Sequence, residues 1–448
     1  MKDTNFLREN NGRHLWQPMG HPGATRDTPP TIITSATGSR ITDIDGHDVV
    51  DGVGGLWCVN LGYSNDVLKE AISKQLYDLP YYSAFAGTTN PPAIEASYAV
   101  QEFFAEDGIA RVFFTSGGSD SVDSCLRMAR QYHKLRGAPA RTKFLSLKKG
   151  YHGTHFGGAS VNGNNRFRTA YEPLLSGCFH LTSPYTYRNP HNETDPDRLA
   201  QMIAQAAEDE IMFQGPETIA AFIMEPIQGA GGVIVPPASF MPLMRDICDR
   251  HGILMIADEV ITGFGRTGDW SGSRHWGVKP DLMSVAKGIT SGYFPVGAAL
   301  VGDKVAEVFE ASGAEGTFFH GYTYSAHPVG AAAVVACLAE TTRLDLRSNA
   351  AARGQQLYDG FRAMQDKHSI IGDVRGGHGL MTGVEIVSDR DAKTPMDMDT
   401  MKRIFQTAYE AGAMVRLAMN TIVMSPPLIL TDAEAQTILD AVDAGLSA

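Results

Sequence analysis

Residues 253–288 read ILMIADEVITGFGRTGDWSGSRHWGVKPDLMSVAKG, and their reading decides the fold. Two short apolar runs, 253–257 and 282–286, each stop at an ionisable residue, Asp258 and Lys287. Runs this short and apolar throughout suit strands buried on both faces, as in a parallel sheet covered by helices. The same rhythm recurs on either side. Upstream, 220–224 stops at Glu225-Pro226, 144–147 is a short strand ahead of Tyr151-His152-Gly153, and 112–114 runs into a glycine pair and then a helix. Downstream, 296–301 follows. Helical stretches separate these runs, which predicts an α/β fold with a mostly parallel central sheet. After about residue 330 a long Ala-rich helix opens a section with strand-like 383–387 and 422–425, which reads as a smaller α+β domain. At the other end, Pro- and Gly-rich 18–30 reads as an extended arm. Residues 41–50 alternate around Asp45-Gly46-His47 as a hairpin. The expected division is 1–55 as a segment packing with the small domain, 56–330 as the large domain and 331–448 as the small domain.

Composition narrows the class. Of the 448 residues, 43% are hydrophobic and 20% charged, which is ordinary for a globular protein. The net charge of -12 and the lack of a Lys/Arg cluster speak against nucleic acid or an anionic membrane as a partner. Cys58, Cys125, Cys178, Cys248 and Cys337 are scattered, with no Cys-x-x-Cys pair. That argues against a disulfide framework or a metal site and fits a reducing compartment. Residues 1–11 are polar and lack the apolar stretch of a signal peptide, and no run of about 18 apolar residues suggests a membrane span. A cytoplasmic location is the expectation.

Three strands therefore end in Glu225, Asp258 and Lys287, and in open α/β sheets ligands sit at the carboxyl ends of strands. Taken singly, a strand-end Asp is ordinarily a cap and a lone Lys the first exposed residue. Their joint occurrence with a Gly-rich loop carries more. That loop, Thr115-Ser116-Gly117-Gly118-Ser119-Asp120, follows a strand and opens a helix marked by Val122, Cys125, Leu126 and Ala129. Its glycines let backbone N–H groups approach an anion at a helix N-terminus, which makes a phosphate cradle. The rival reading is an ordinary helix capped by Ser116 or Ser119. No Gly-Lys-Ser/Thr ending and no Gly-x-Gly-x-x-Gly is present, so nucleotide readings are weak. A phosphate cradle, a strand-end Asp and a strand-end Lys are the parts that pyridoxal 5′-phosphate (PLP) needs. Lys287 would hold its aldehyde as an imine, Asp258 would keep the pyridine nitrogen protonated, and Tyr151 would stack on the ring.

These residues resemble the class III PLP-dependent aminotransferases of fold type I, and most closely the omega-amine:pyruvate aminotransferases. The resemblance covers nearly the whole chain. It rests on Asp45-Gly46 with Gly54-Gly55-Leu56-Trp57, on Ser116-Gly117-Gly118-Ser119, and on Gly150-Tyr151-His152-Gly153. It continues through Glu225-Pro226-Ile227-Gln228-Gly229, the run from Ala257 to Gly268, and the run from Ala286 to Gly292. It closes with His320-Gly321-Tyr322-Thr323-Tyr324-Ser325, His327-Pro328 and Ser425-Pro426-Pro427-Leu428. The resemblance implies a large domain with a mostly parallel sheet plus a smaller α+β domain. It implies Lys287 as Schiff-base lysine and proton shuttle, Asp258 as pyridinium partner, and Val260 on the ring face opposite Tyr151. Ser116, Gly117, Gly118 and Ser119 would form the phosphate site, with His152 beside the cofactor, Gln228 near the ring hydroxyl and Glu225 supporting. Thr323 would reach the phosphate of a neighbouring subunit, which implies a homodimer with shared active sites, whose dimers can pair again. Trp57 and Phe85 would line the substrate pocket, and Arg416 would bind a substrate carboxylate. One departure is Gly118-Ser119-Asp120-Ser121 where the family commonly has Gly-Ser-Glu-Ala, which changes the reach of that carboxylate.

The implied reaction is ping-pong transfer of an amino group from an omega-amine or omega-amino acid to pyruvate, giving alanine, with no metal. Taurine, beta-alanine and diamines remain open as dedicated donors. So do a decarboxylase, racemase or aminomutase reaction on the same fold. A non-catalytic PLP-binding protein finds no support in the residues.

Overall fold

The computed structural model describes residues 3–85 and 87–448. Its centre is a seven-stranded sheet built from β1 (Ile109–Thr115), β2 (Lys143–Leu147), β3 (Cys178–Leu181), β4 (Ile219–Met224), β5 (Leu254–Asp258), β6 (Leu282–Val285) and β7 (Gly297–Gly302). The order across the sheet is β1-β7-β6-β5-β4-β2-β3. β7 runs antiparallel to both of its neighbours, and the remaining ladders are parallel. Strand periodicity explains the all-apolar runs. Leu254 and Ile256 of β5 face one core with Val122 and Cys125, while Met255 and Ala257 face another with Met244 and Ile247. Asp258, two residues past Ile256, belongs to the face covered by the helix Gly118–Leu135.

The apolar runs at 112–114, 144–147, 220–224, 253–257, 282–286 and 296–301 all fall on strands, within a residue or two at their ends. The edge strand β3 has no sequence signal of comparable strength. Its four residues include His180, and three of the four are only half-buried.

The C-terminal sheet is antiparallel, with Ile371–Arg375, Thr382–Asp389, Thr421–Met424 and Arg416–Ala418 in that order. Helices Leu346–Lys367, Met398–Glu410 and Asp432–Ser447 share its core. At the N-terminus, Arg40–Asp43 and Asp48–Asp51 form the expected hairpin. The second of these strands also pairs in parallel with Ala413–Met414, through Val50 with Ala413. The boundary drawn after residue 330 falls inside the helix Pro328–Arg343. That helix gives Ala331 and Val334 to the core of the central sheet and Cys337 to the core of the C-terminal section. The extended-arm reading of 18–30 is corrected by a short helix, Pro22–Asp27. Pro22 at its first position pre-sets φ, and His21 Nδ1 accepts from the Ala24 N–H.

Candidate active site

The carboxyl ends of β1, β2, β4, β5 and β6 converge on a cavity of ≈160 Å3. It is lined by Leu56, Gly118, Ser119, Val122, Tyr151, His152, Gly153, Glu225, Asp258, Val260, Ile261 and Lys287. Each ionisable group arrives there because a buried strand ends and the chain must turn.

The helix that follows β1 starts at Gly118, with Gly117 in the cap position and no side chain capping it. The serine-cap reading is therefore excluded. Its first-turn N–H groups have no intrahelical acceptors and stay open to an anion. Ser116 turns inward, its N–H donating to Asp120 Oδ2 at 3.0 Å. The short Asp120 carboxylate thus ties its own loop, and it also meets His155 Nε2 at 3.3 Å. Ser119 Oγ accepts from the Thr154 N–H at 3.1 Å, which joins the cradle to the Tyr151 loop. Gly153 makes this approach possible: at φ +91°, a Cβ there would lie 2.6 Å from Ser119 Oγ. At Gly118 a Cβ would press on Val260 at 3.0 Å, so cradle and Val260 wall are in van der Waals contact.

Asp258 is 3% exposed. Its Oδ2 meets His152 Nδ1 at 2.8 Å, and its Oδ1 accepts from the Val260 N–H at 3.2 Å. Glu225 is equally buried, with Oε1 accepting from the Tyr151 N–H and Oε2 from the Gly229 N–H, both at 2.9 Å. Burial pushes its carboxyl up to about 7. Lys287 follows β6 in the left-handed region at φ +52°. Burial pushes its amine down to about 8, against the pull of Asp258 and Glu225. No hydrogen bond or ion pair holds that amine among the described residues. A half-buried amine of lowered basicity, facing a cavity with two carboxyls, is a nucleophile and proton carrier suited to neutral pH.

Arg416 opens the strand Arg416–Ala418 and stands within electrostatic reach of Tyr151 and Lys287. It is half-buried, burial lowers its pKa, and no carboxylate pairs with it among the described residues. No side-chain hydrogen bond to its guanidinium is made among the described residues, so the group is free to pair with an anion.

Several expected residues lie elsewhere. Trp57 is 3% exposed and packs with Ile227, Val233, Ile261 and Val423, so it does not itself line this cavity. Positive φ at Gly54, Gly55 and Trp57 turns the chain so that Leu56, not Trp57, lines the cavity. Trp57 stands behind the wall, in contact with the group that includes Ile261. Gln228 does not line the cavity either. Its backbone bridges to Ile234, and its amide is engaged by Ser183 Oγ and by the Lys148 carbonyl at 3.0 Å. Phe85 is exposed and lies outside its own chain's cavity, where a Cβ on Gly321 would meet its ring at 3.1 Å. Thr323 is exposed on the same patch, its carbonyl accepting from Tyr81 Oη–H at 2.8 Å. The structure thus brings Phe85 and Thr323 together, but not to Lys287. Sequence reading missed Leu56, Val122, Gly153 and Ile261 as lining residues. For Leu56 the glycine pair ahead of it was the available signal.

Comparisons with known proteins give the family. The family described as "Aminotransferase class-III" matches residues 23–446. The putrescine–pyruvate aminotransferase of Pseudomonas aeruginosa is 36% identical over 417 residues, covering 91% of this chain and 88% of that protein. The crystal structure of an amine transaminase from an uncultivated Pseudomonas species, in a PLP-bound form, superposes with a TM-score of 0.95 at 45% identity, covering 97% of this chain and 98% of that one. A thermostable omega transaminase variant, engineered for asymmetric synthesis of enantiopure bulky amines, superposes with a TM-score of 0.95 at 34% identity, each chain covered to 98%. The chain belongs to the class III aminotransferases and is an aminotransferase of their PLP-dependent fold. The residues present fit the cofactor this implies: an uncapped helix N-terminus for the phosphate, a buried carboxylate for the ring nitrogen and an unpartnered amine for the aldehyde.

Proposed function

We infer that this aminotransferase moves an amino group from an omega-amine or omega-amino acid to pyruvate, in two half-reactions at one cavity. The observation that carries the reading is Arg416, a half-buried guanidinium within electrostatic reach of Tyr151 and with no carboxylate partner among the described residues. A 2-oxo acid supplies the missing anion through a bidentate pair. A relative named for putrescine and pyruvate supports the acceptor.

When bound, PLP supplies the aldehyde that carries the amino group and the ring that takes up an electron pair from the substrate carbon. Ser119 and the first-turn N–H groups from Gly118 onward hold its phosphate. Asp258, held by His152, keeps a proton at the ring nitrogen. Tyr151 and Val260, which line the cavity, would flank the ring. Lys287 carries the proton at the substrate carbon. Leu56 and Ile261, backed by Trp57, shape the wall met by the donor. In the engineered relative, the substituted tryptophan, phenylalanine and arginine have the same separations along the chain as Trp57, Phe85 and Arg416 here, which supports roles for all three near substrate. For Phe85 and Thr323 that role is across a subunit boundary. The protein acts as a homodimer in which the patch carrying Tyr81, Phe85 and Thr323 completes the partner's cavity.

Single-turnover spectroscopy on Arg416→Ala tests the reading. The pyruvate half-reaction should lose roughly 2–5 kcal/mol, as when one partner of a desolvated pair is truncated. The half-reaction with a carboxylate-free amine should change far less. Normal pyruvate kinetics would refute the assignment, and equal losses in both halves would make Arg416 structural.

A further inference from the structure

The Arg416 hairpin reaches the cofactor-side loops through a second arginine. Arg375 ends the strand Ile371–Arg375 and is 8% exposed. Its Nε and Nη2 both donate to the Gly232 carbonyl, at 3.0 and 2.8 Å. Nη2 also reaches Thr421 Oγ1 at 3.1 Å, and Nη1 meets Asp373 and Glu385 at 2.8 and 3.0 Å. The two ends of this link matter for the site. Thr421 starts the strand that pairs with Arg416–Ala418, with Ala418 opposite Thr421 and Arg416 opposite Val423. Gly232 belongs to the loop after β4, which is tied to Glu225 by the Gly229 N–H. That loop is also packed on the Tyr151 loop, where a Cβ on Gly231 would fall 2.7 Å from the Lys149 carbonyl. One guanidinium therefore spans the hairpin that presents Arg416 and the loops that present Glu225 and Tyr151.

We propose that Arg375 is the positioning residue that sets where the Arg416 guanidinium stands relative to the cofactor site, and so tunes binding of the acceptor's carboxylate. This rests on the reading of Arg416 as the acceptor's anchor. The planar fork is needed because two of its nitrogens grip one carbonyl while the third faces two carboxylates. An ammonium keeps the charge and cannot hold all of these at once. Glu385 supports the fork and does not touch Gly232. It accepts from Tyr185 Oη–H at 2.5 Å and from Arg188 Nε at 2.7 Å.

The test is a pair of single-turnover titrations on holoenzyme, one with pyruvate and one with benzylamine, alongside thermal unfolding. In Arg375→Lys the pyruvate concentration for half-maximal rate should rise roughly tenfold, while the benzylamine half-reaction stays within about twofold. Thr421→Val is close in shape and removes the hydroxyl that ties the hairpin to Arg375 at 3.1 Å and, more weakly, to Glu385 at 3.4 Å. It should shift pyruvate in the same direction by about threefold, and it keeps the question answerable if Arg375→Lys folds poorly. Tyr185→Phe leaves the grip on Gly232 intact and should leave both half-reactions unchanged. Parallel losses in the two halves, or unchanged pyruvate binding in both Arg375→Lys and Thr421→Val, would overturn the proposal. Arg416→Ala, measured beside them, separates the two failures. If it cripples the pyruvate half while the Arg375 and Thr421 variants do nothing, only the positioning role falls. If it too leaves pyruvate untouched, both readings fall.

Discussion

Lys287 and Glu225 show how one cavity sets two proton affinities in opposite directions. Burial disfavours the charged form of each, so the amine moves down to about 8 and the carboxyl up to about 7. For Lys287 the free-amine fraction grows as pH rises through about 8, not through the ordinary lysine range. Apoprotein should therefore condense with PLP at a rate that climbs with pH and levels off above about 8, followed by absorbance. Borohydride should then fix the label on Lys287, and a label on another lysine would contradict the assignment. For Glu225 the folded state binds a proton that the unfolded chain releases between 4.5 and about 7. Its stabilising contribution is complete below that window and is lost as pH rises through it. Glu225→Gln cannot ionise, so its stability relative to the parent should improve by a few kcal/mol from pH 4.5 to 8. Melting temperatures at several pH values check this, whatever constant loss the Tyr151 and Gly229 hydrogen bonds add. Asp258→Asn keeps the shape and removes the charge that holds the ring-nitrogen proton. Turnover should fall on the order of a thousandfold.

At the scale of elements, the cradle is a helix start left uncapped. Gly118 is already in helical conformation there, so alanine gains helix propensity of up to about 1 kcal/mol. The added Cβ would stand 3.0 and 3.1 Å from the two Val260 methyl groups, which border the cavity and can yield into it. Gly118→Ala should therefore melt within a few degrees of the parent while binding PLP about tenfold more weakly, since the displaced valine takes room meant for the ring. Calorimetry and a cofactor titration separate the two effects. A melting temperature lowered in step with cofactor affinity would mean that the cradle is held by packing and not by its ligand. The glycine pair and the helical spacing behind it made this element legible in the sequence. Absence of a cap was not legible, because Ser116 and Ser119 are both good capping residues, and it takes the tertiary contact with the Thr154 N–H to engage the Ser119 hydroxyl elsewhere.

For the whole molecule, the exposed aromatics at 81–85 and 324 form a surface that a lone chain would leave in water. Tyr81, Phe85 and Tyr324 are each at least 38% exposed, and Tyr81 and Tyr324 meet edge to face. Apolar patches of this kind mark association surfaces. On the proposal that Thr323 completes the partner's cofactor site, holoenzyme should stay dimeric at lower concentration than apoprotein, because a ligand bound across an interface stabilises it. Sedimentation at matched concentrations tests this. Tyr324→Glu should shift the protein toward monomer and remove activity together, and fully active monomers would refute the shared site.

The sequence alone determined the alternation of buried strands and helices, the strand-end positions of Glu225, Asp258 and Lys287, and the Gly-rich start of the cradle helix. These are local features: a side-chain period, a strand length, a glycine where the backbone must come close. Only the tertiary structure decided that Trp57 turns into the core while Leu56 faces the cavity, that Gln228 is taken by Ser183 and the Lys148 carbonyl, and that Phe85 leaves its own chain's site. It alone joined Arg375 to Gly232 and left Arg416 without a carboxylate partner among the described residues. Those outcomes depend on partners scores of residues apart in the chain, and competition among such partners leaves no mark in the local pattern of residues.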